Sequence, residues 1–165
     1  MSAFPDRDVI TADALNSIGC DSFERGLLAV ARHFLNAFED PKSQAWQHGY
    51  TVAVERWGET IGFPAAHAMS KLIRALLRGR ADGISFFDPL CVEARTRVSS
   101  DEALLMKMLH HMRRDQTSPA RDAVEALTLG RMDPDVIRAG LSLASRFSAG
   151  CPAASVQRPS LRVVS

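Results

Sequence analysis

The amino-acid sequence predicts a mainly α-helical fold: a compact bundle of about six to seven helices spanning residues 1–149, followed by a flexible tail over 150–165. Three observations carry that expectation. Apolar residues recur at helical spacing along most of the chain. Capping residues and proline or glycine breaks fall at the ends of those runs. Only one stretch, residues 92–98, alternates with the period of a strand. The chain of 165 residues, 46% hydrophobic and 24% charged, is long enough to bury about two-thirds of its unfolded surface.

The first ten residues read as a loose arm. Thr11 can cap a short helix ending at Gly19. Asp21-Ser22-Phe23-Glu24 forms a capping box, and Phe23, Leu27, Val30, Phe34 and Phe38 then make an apolar stripe, with Arg25, Arg32, Asn36 and Glu39 on the other side. Asp40-Pro41 ends that helix and caps a third, 41–61, whose buried face is expected to be Trp46, Tyr50, Ala53, Val54, Trp57 and Ile61. Gly49 and Gly58 weaken this helix by about 1 kcal/mol each relative to alanine and allow close packing or a kink. Gly62-Phe63-Pro64 is the expected break before a fourth helix over 64–78, which buries Ala65, Ala68, Met69, Leu72, Ile73 and Leu76.

Between helices the pattern changes. The apolar run Ile84–Phe87, the turn at Asp88-Pro89 and the alternation of Val92, Ala94, Thr96 and Val98 with Glu93, Arg95 and Arg97 leave room for a short β-hairpin over residues 84–98. Ser99-Ser100-Asp101-Glu102 is a second capping box, opening a helix with a stripe of Ala103, Leu105, Met106, Leu109 and Met112. Ser118-Pro119 opens a sixth helix, stopped by Gly130, and Asp133-Pro134 opens a seventh.

Composition excludes several classes. No apolar run approaches the roughly 18 residues that span a bilayer. The N-terminus carries Asp6, Asp8 and Asp13 without a basic start or apolar core, so no secretory signal is expected. Cys20, Cys91 and Cys151 are odd in number and far apart, which favours a reducing, cytoplasmic setting over a disulfide framework. Arginine dominates the basic residues, with only Lys42, Lys71 and Lys107 as lysines; a GC-rich bacterial genome suffices to explain the bias. The net charge of +1 divides into an acidic first part and a basic remainder from residue 65 onward.

Chemistry-bearing patterns are few. Lys71, Arg74 and Arg78 share one helix face, Arg80 follows, and Arg95 and Arg97 lie on one side of the expected strand. These six residues form a basic ridge suited to nucleic acid or another anionic partner, in outline like a helix with a β-ribbon wing. Ala126, Gly130 and Val136 have helix-turn-helix spacing, but the second helix would begin Asp133-Pro134-Asp135, which opposes phosphate. His33, His48, His67, His110 and His111 form no metal spacing. The helix aromatics Phe34, Phe38, Trp46, Tyr50 and Trp57 could line an inter-helix pocket, although they fall on core-facing stripes. No nucleophile, dinucleotide or phosphate-loop motif occurs, so no catalytic residue, metal or cofactor is expected. The expected function is that of a non-catalytic bacterial regulatory or adaptor protein acting by protein–protein binding or self-association as a dimer. A DNA-binding regulator using the basic ridge is the alternative, and a small-molecule-binding protein or enzyme the second.

Overall fold

In the computed structural model the described residues are 9–11 and 13–150. The arm over residues 1–8 and the tail beyond Gly150 lie outside them. The order is β1 (Val9–Thr11), α1 (Asp13–Ile18), α2 (Ser22–Glu39), α3 (Ala45–Gly79), β2 (Arg97–Ser99), α4 (Ser100–Met112), α5 (Thr117–Leu127) and α6 (Pro134–Arg146), with 3-10 turns at Pro41–Ser43 and Glu93–Thr96. The fold is mainly α, and no described helix is long and apolar enough to cross a membrane.

Both capping boxes form. The Asp21 carboxylate accepts from the Glu24 backbone N–H at 2.8 Å, and Glu24 accepts from the Asp21 N–H at 3.0 Å. Ser99 and Glu102 repeat this at α4, at 3.0 and 2.9 Å. Each box satisfies donors that the first helical turn leaves without an internal partner. Asp133 caps α6 through the Asp135 N–H, with Pro134 at the first helical position. At Asp40-Pro41 the cap is present but opens only a 3-10 turn; α3 begins after Gln44, which takes a left-handed conformation.

The break within α3 lies at Gly58, not at Gly62-Phe63-Pro64. Gly58 has φ 74° and ψ 168°, a region only glycine enters readily. Pro64 tolerates helical φ; its missing N–H leaves the carbonyl of Thr60, an exposed residue, to water. The arm 59–79 folds against the arm 45–57. A Cβ placed on Gly62 would lie 2.6 Å from the Ala53 carbonyl oxygen and 2.7 Å from the Val54 Cα. Phe34 stands over Gly49 and Trp57 beside Gly26, so α2 and the first arm run antiparallel.

The expected hairpin over residues 84–98 does not form. Residues 84–87 are irregular, and Glu93–Thr96 is a 3-10 turn. Of the alternating apolar residues only Ala94, in the 3-10 turn, and Val98, in β2, are buried, and alternation alone does not supply a partner strand. β2 pairs instead with β1, antiparallel, with Ile10 opposite Val98. Residues 9 and 10 therefore belong to a strand rather than to a loose arm.

The core is one cluster drawn from all the long helices: Leu27, Val30, Phe34 and Leu35 from α2; Met69, Leu72, Ile73 and Leu76 from the second arm of α3; Leu105, Met106 and Leu109 from α4. Val124 and Leu127 of α5 and Val136 and Leu143 of α6 close its far side. The first arm of α3 is the exception to the expected pattern. Only Ala53 of its apolar face is fully buried, Trp46 is 49% exposed, and Phe38 at the end of α2 is also open. That arm lies at the edge of the bundle, packed mainly against α2 and the second arm.

Gly62→Val should destabilise the fold by about 2–4 kcal/mol in urea unfolding, because the added carbons meet backbone that cannot rotate away. An unchanged midpoint would show that the two arms separate easily.

Candidate functional site

The second arm of α3 presents one uninterrupted exposed stripe. Phe63, His67, Lys71, Arg74 and Arg78 recur at intervals of four, four, three and four and are all exposed. Phe63, 49% exposed, starts the stripe. It packs on Tyr50 at 6.1 Å, and Tyr50 meets Trp46 edge-on at 6.3 Å, so three aromatic rings cluster at that end. At the other end the Arg74 guanidinium stands 5.9 Å from the centre of the Phe38 ring. Arg138 of α6 joins Lys71, Arg74 and Arg78 along a groove of about 380 Å³. Asp135 also lines that groove and pairs with Arg138 at 3.0 Å.

The six residues of the expected basic ridge do not all join this surface. Arg80 is buried: it donates to Asp101 at 2.7 Å and to Asp82 at 3.3 Å, and also to the Leu127 carbonyl. Burial lowers its pKa, but Asp101 and Asp82 hold it above its ordinary value. It is a strut between the end of α3 and the start of α4. Arg95 lines a different cleft, with Arg25, Arg32 and Arg56. Arg97 is exposed on β2, and its carbonyl accepts from Arg32 at 2.6 Å. The winged outline is absent along with the hairpin. Ala126, which helix-turn-helix packing would bury against the second helix, is exposed.

Two buried ionic clusters went unseen in the sequence. Arg32, read as solvent-facing, is buried and forks onto Glu102 at 2.7 and 3.0 Å. Glu24 accepts from Arg113 at 2.6 Å, Arg114 at 2.5 Å and its own capping partner, and meets His110 Nδ1 at 3.0 Å. Burial pushes the Glu24 carboxyl up, but hydrogen bonds from Arg114, His110 and the Asp21 N–H more than offset this and leave its pKa below the ordinary value. Asp21 is lowered in the same way: burial opposes the shift, and the Glu24 N–H and Arg113 prevail. Among the described residues no buried polar side-chain atom lacks a partner. A sequence signal existed only in the capping boxes; which distant arginine meets each glutamate is a property of the fold.

The ligand atoms of Cys20, Glu24 and His110 lie within 4.8 Å of one another. The donor set does not suit a divalent cation. Both Glu24 oxygens are engaged, and two guanidiniums adjoin them. Burial, followed by the Glu24 charge, pushes the Cys20 thiol up to about 12, so it stays protonated. The cluster is an ion-paired strut. Of the aromatics considered for a pocket, Phe34 is core and Tyr50 packs on its edge at 5.6 Å. A third groove, about 230 Å³ and mainly apolar, runs between α5 and α6 beside Val124, Ile137 and Leu141.

No protein-family model, no curated protein and no solved structure matches this chain.

Stability should fall in acid because of Asp21 and Glu24. Both carboxyls have native pKa values below their ordinary 3.8 and 4.5. Their contribution is full above about pH 4.5 and is lost as pH drops through the native values. Thermal unfolding followed between about pH 6 and pH 3 should show this loss, and Glu24→Gln should flatten it while lowering stability by about 3–5 kcal/mol near neutrality. An acid profile identical in both proteins would contradict it.

Proposed function

We propose that the protein is a non-catalytic adaptor or regulator that binds an acidic, amphipathic segment of a protein partner along the Phe63–Arg78 stripe. The observation that supports this reading is the stripe's composition. An aromatic end of Phe63, Tyr50 and Trp46 continues without interruption into three cations, none paired with an acid among the described residues. Aromatic anchors in an interface supply most of the binding energy. Flanking charges set partner choice and association rate. A helix with apolar side chains toward one end and acids toward the other complements both parts of the stripe.

Nucleic acid is the second reading, on the proximity of Lys71, Arg74, Arg78 and Arg138. Asp135 lies in the same groove and opposes phosphate. Self-association through the stripe would require a two-fold axis that sets the Phe63 end of one copy against the Lys71–Arg78 end of the other.

Site-specific photo-crosslinking in cells tests the proposal. A crosslinker at Phe63 or His67 should capture one protein, a crosslinker at exposed Glu125 on α5 should not, and Lys71→Glu with Arg74→Glu should abolish capture. Purified partner should then bind at least about tenfold more weakly at high salt. Capture of no protein, or equal capture from α5, overturns the reading. Salt-dependent binding of a DNA duplex that the same double substitution removes would favour the second reading instead.

A further inference from the structure

A second surface, sharing no residue with the stripe, has a different chemistry. Between α1, α2, the first arm of α3 and the loop before β2 lies a cleft of about 470 Å³, a volume in the range that holds small organic ligands. Its lining is mixed, with an apolar part built by Leu28, Val52 and Val98 among others. Four arginines line it together with His33, and among the described residues no aspartate or glutamate does. Among the described residues, only Arg32 of the four has a carboxylate of its own, Glu102. Arg25 donates to two neutral acceptors, the Cys20 carbonyl at 3.2 Å and Asn16 Oδ1 at 2.6 Å. Arg56 and Arg95 are exposed, and among the described residues neither makes a side-chain hydrogen bond or an ion pair. His33 is buried; burial first, then the neighbouring His48, lowers its pKa, against the opposing charge of Asp88 nearby.

Arg25, Arg56 and Arg95 line one cleft, and among the described residues none of the three pairs with a carboxylate; that combination defines what would fit. Two planar forks can each hold an anionic oxygen pair by charge-assisted hydrogen bonds. The floor offers apolar contact to whatever carries that anion. Like charges drawn together repel one another, so an arrangement of this kind gains most from an anion between them. We infer that this cleft binds a small amphipathic anion, a phosphate monoester or carboxylate on a short apolar body, with Arg56 and Arg95 holding the anionic head and the Leu28–Val52–Val98 wall holding the body. The site is independent of the partner stripe and implies a ligand that the protein senses or carries.

Isothermal titration of the full chain with hexyl phosphate, hexan-1-ol and inorganic phosphate tests this at low ionic strength. Hexyl phosphate should bind once per chain, and the other two at least about tenfold more weakly, because each supplies half of the recognition. Arg56→Gln with Arg95→Gln should weaken hexyl phosphate binding by about tenfold or more without changing the melting temperature, since neither arginine supports the fold. Val52→Phe, which narrows the cleft from its half-buried wall, should weaken binding independently. Absence of saturable hexyl phosphate binding overturns the inference. So does equal binding of hexan-1-ol or of inorganic phosphate, or binding that both variants leave intact.

Discussion

Two buried glutamates organise this molecule. Glu24 and Glu102 each stand at the third position of a helix, and each closes the capping box of its own helix. Each also accepts an arginine from the other helix: Arg113 at the end of α4 reaches Glu24, and Arg32 within α2 reaches Glu102. The pairing is reciprocal, and it requires α2 and α4 to run antiparallel in one register. An ionised carboxylate without such partners would not remain in this interior, because its desolvation would cost several kcal/mol. With them, every oxygen is engaged, and the helix start and the helix pairing become one constraint.

The remaining struts extend from that pair. Asp101, next to Glu102, holds Arg80 and the Ser85 N–H, fixing the end of α3 and the loop after it. The Glu102 carboxylate also accepts from the Phe87 N–H. The long loop between α3 and α4 is thus tied to the start of α4 rather than to a strand partner, which is why it needs no hairpin. Arg113 reaches the Phe147 carbonyl at 2.6 Å, joining the end of α6 to the same network. Hydrophobic burial supplies the driving force for collapse. The ionic struts select which helix faces which, a division of labour known from other buried polar groups.

Local chemistry made much of the fold legible in the sequence. Both capping boxes, the Asp133-Pro134 start and the stripes of α2 and α4 follow from residue spacing, since caps and periodicity are local properties. The Gly58 bend was among the possibilities, but the proline drew the expected break six residues downstream; only the tertiary contact of Gly62 on Ala53 shows where the chain turns. The strand alternation at 92–98 misled because only Ala94, in a 3-10 turn, and Val98, in β2, turn inward, while Val92 and Thr96 stay exposed. Arg32 and Arg80 misled in another way. An arginine on the polar side of a helix, like Arg32, or in the turn after one, like Arg80, is normally solvated, and the partners that bury these two, Glu102 and Asp101, lie 70 and 21 residues away. The Lys71–Arg74–Arg78 part of the basic ridge is a helical spacing and was visible. Its aromatic continuation through Phe63 to Tyr50 and Trp46 depends on the arms of α3 folding together.

The surfaces follow from the same frame. Because α2 is committed to α4 on one side, the first arm of α3 remains at the edge, and its aromatics stay partly open beside the cations of the second arm. Arg32 is drawn inward to Glu102, and among the described residues Arg25, Arg56 and Arg95 beside it have no carboxylate partner. A double-mutant cycle on Arg32 and Glu102, measured by urea unfolding of Arg32→Leu, Glu102→Leu and the double substitution, tests the reciprocal clamp most directly. The clamp predicts a loss of about 3–5 kcal/mol for Arg32→Leu alone, and a coupling energy of at least about 2 kcal/mol because the double substitution removes the stranded charge. Single losses that simply add in the double variant would contradict it.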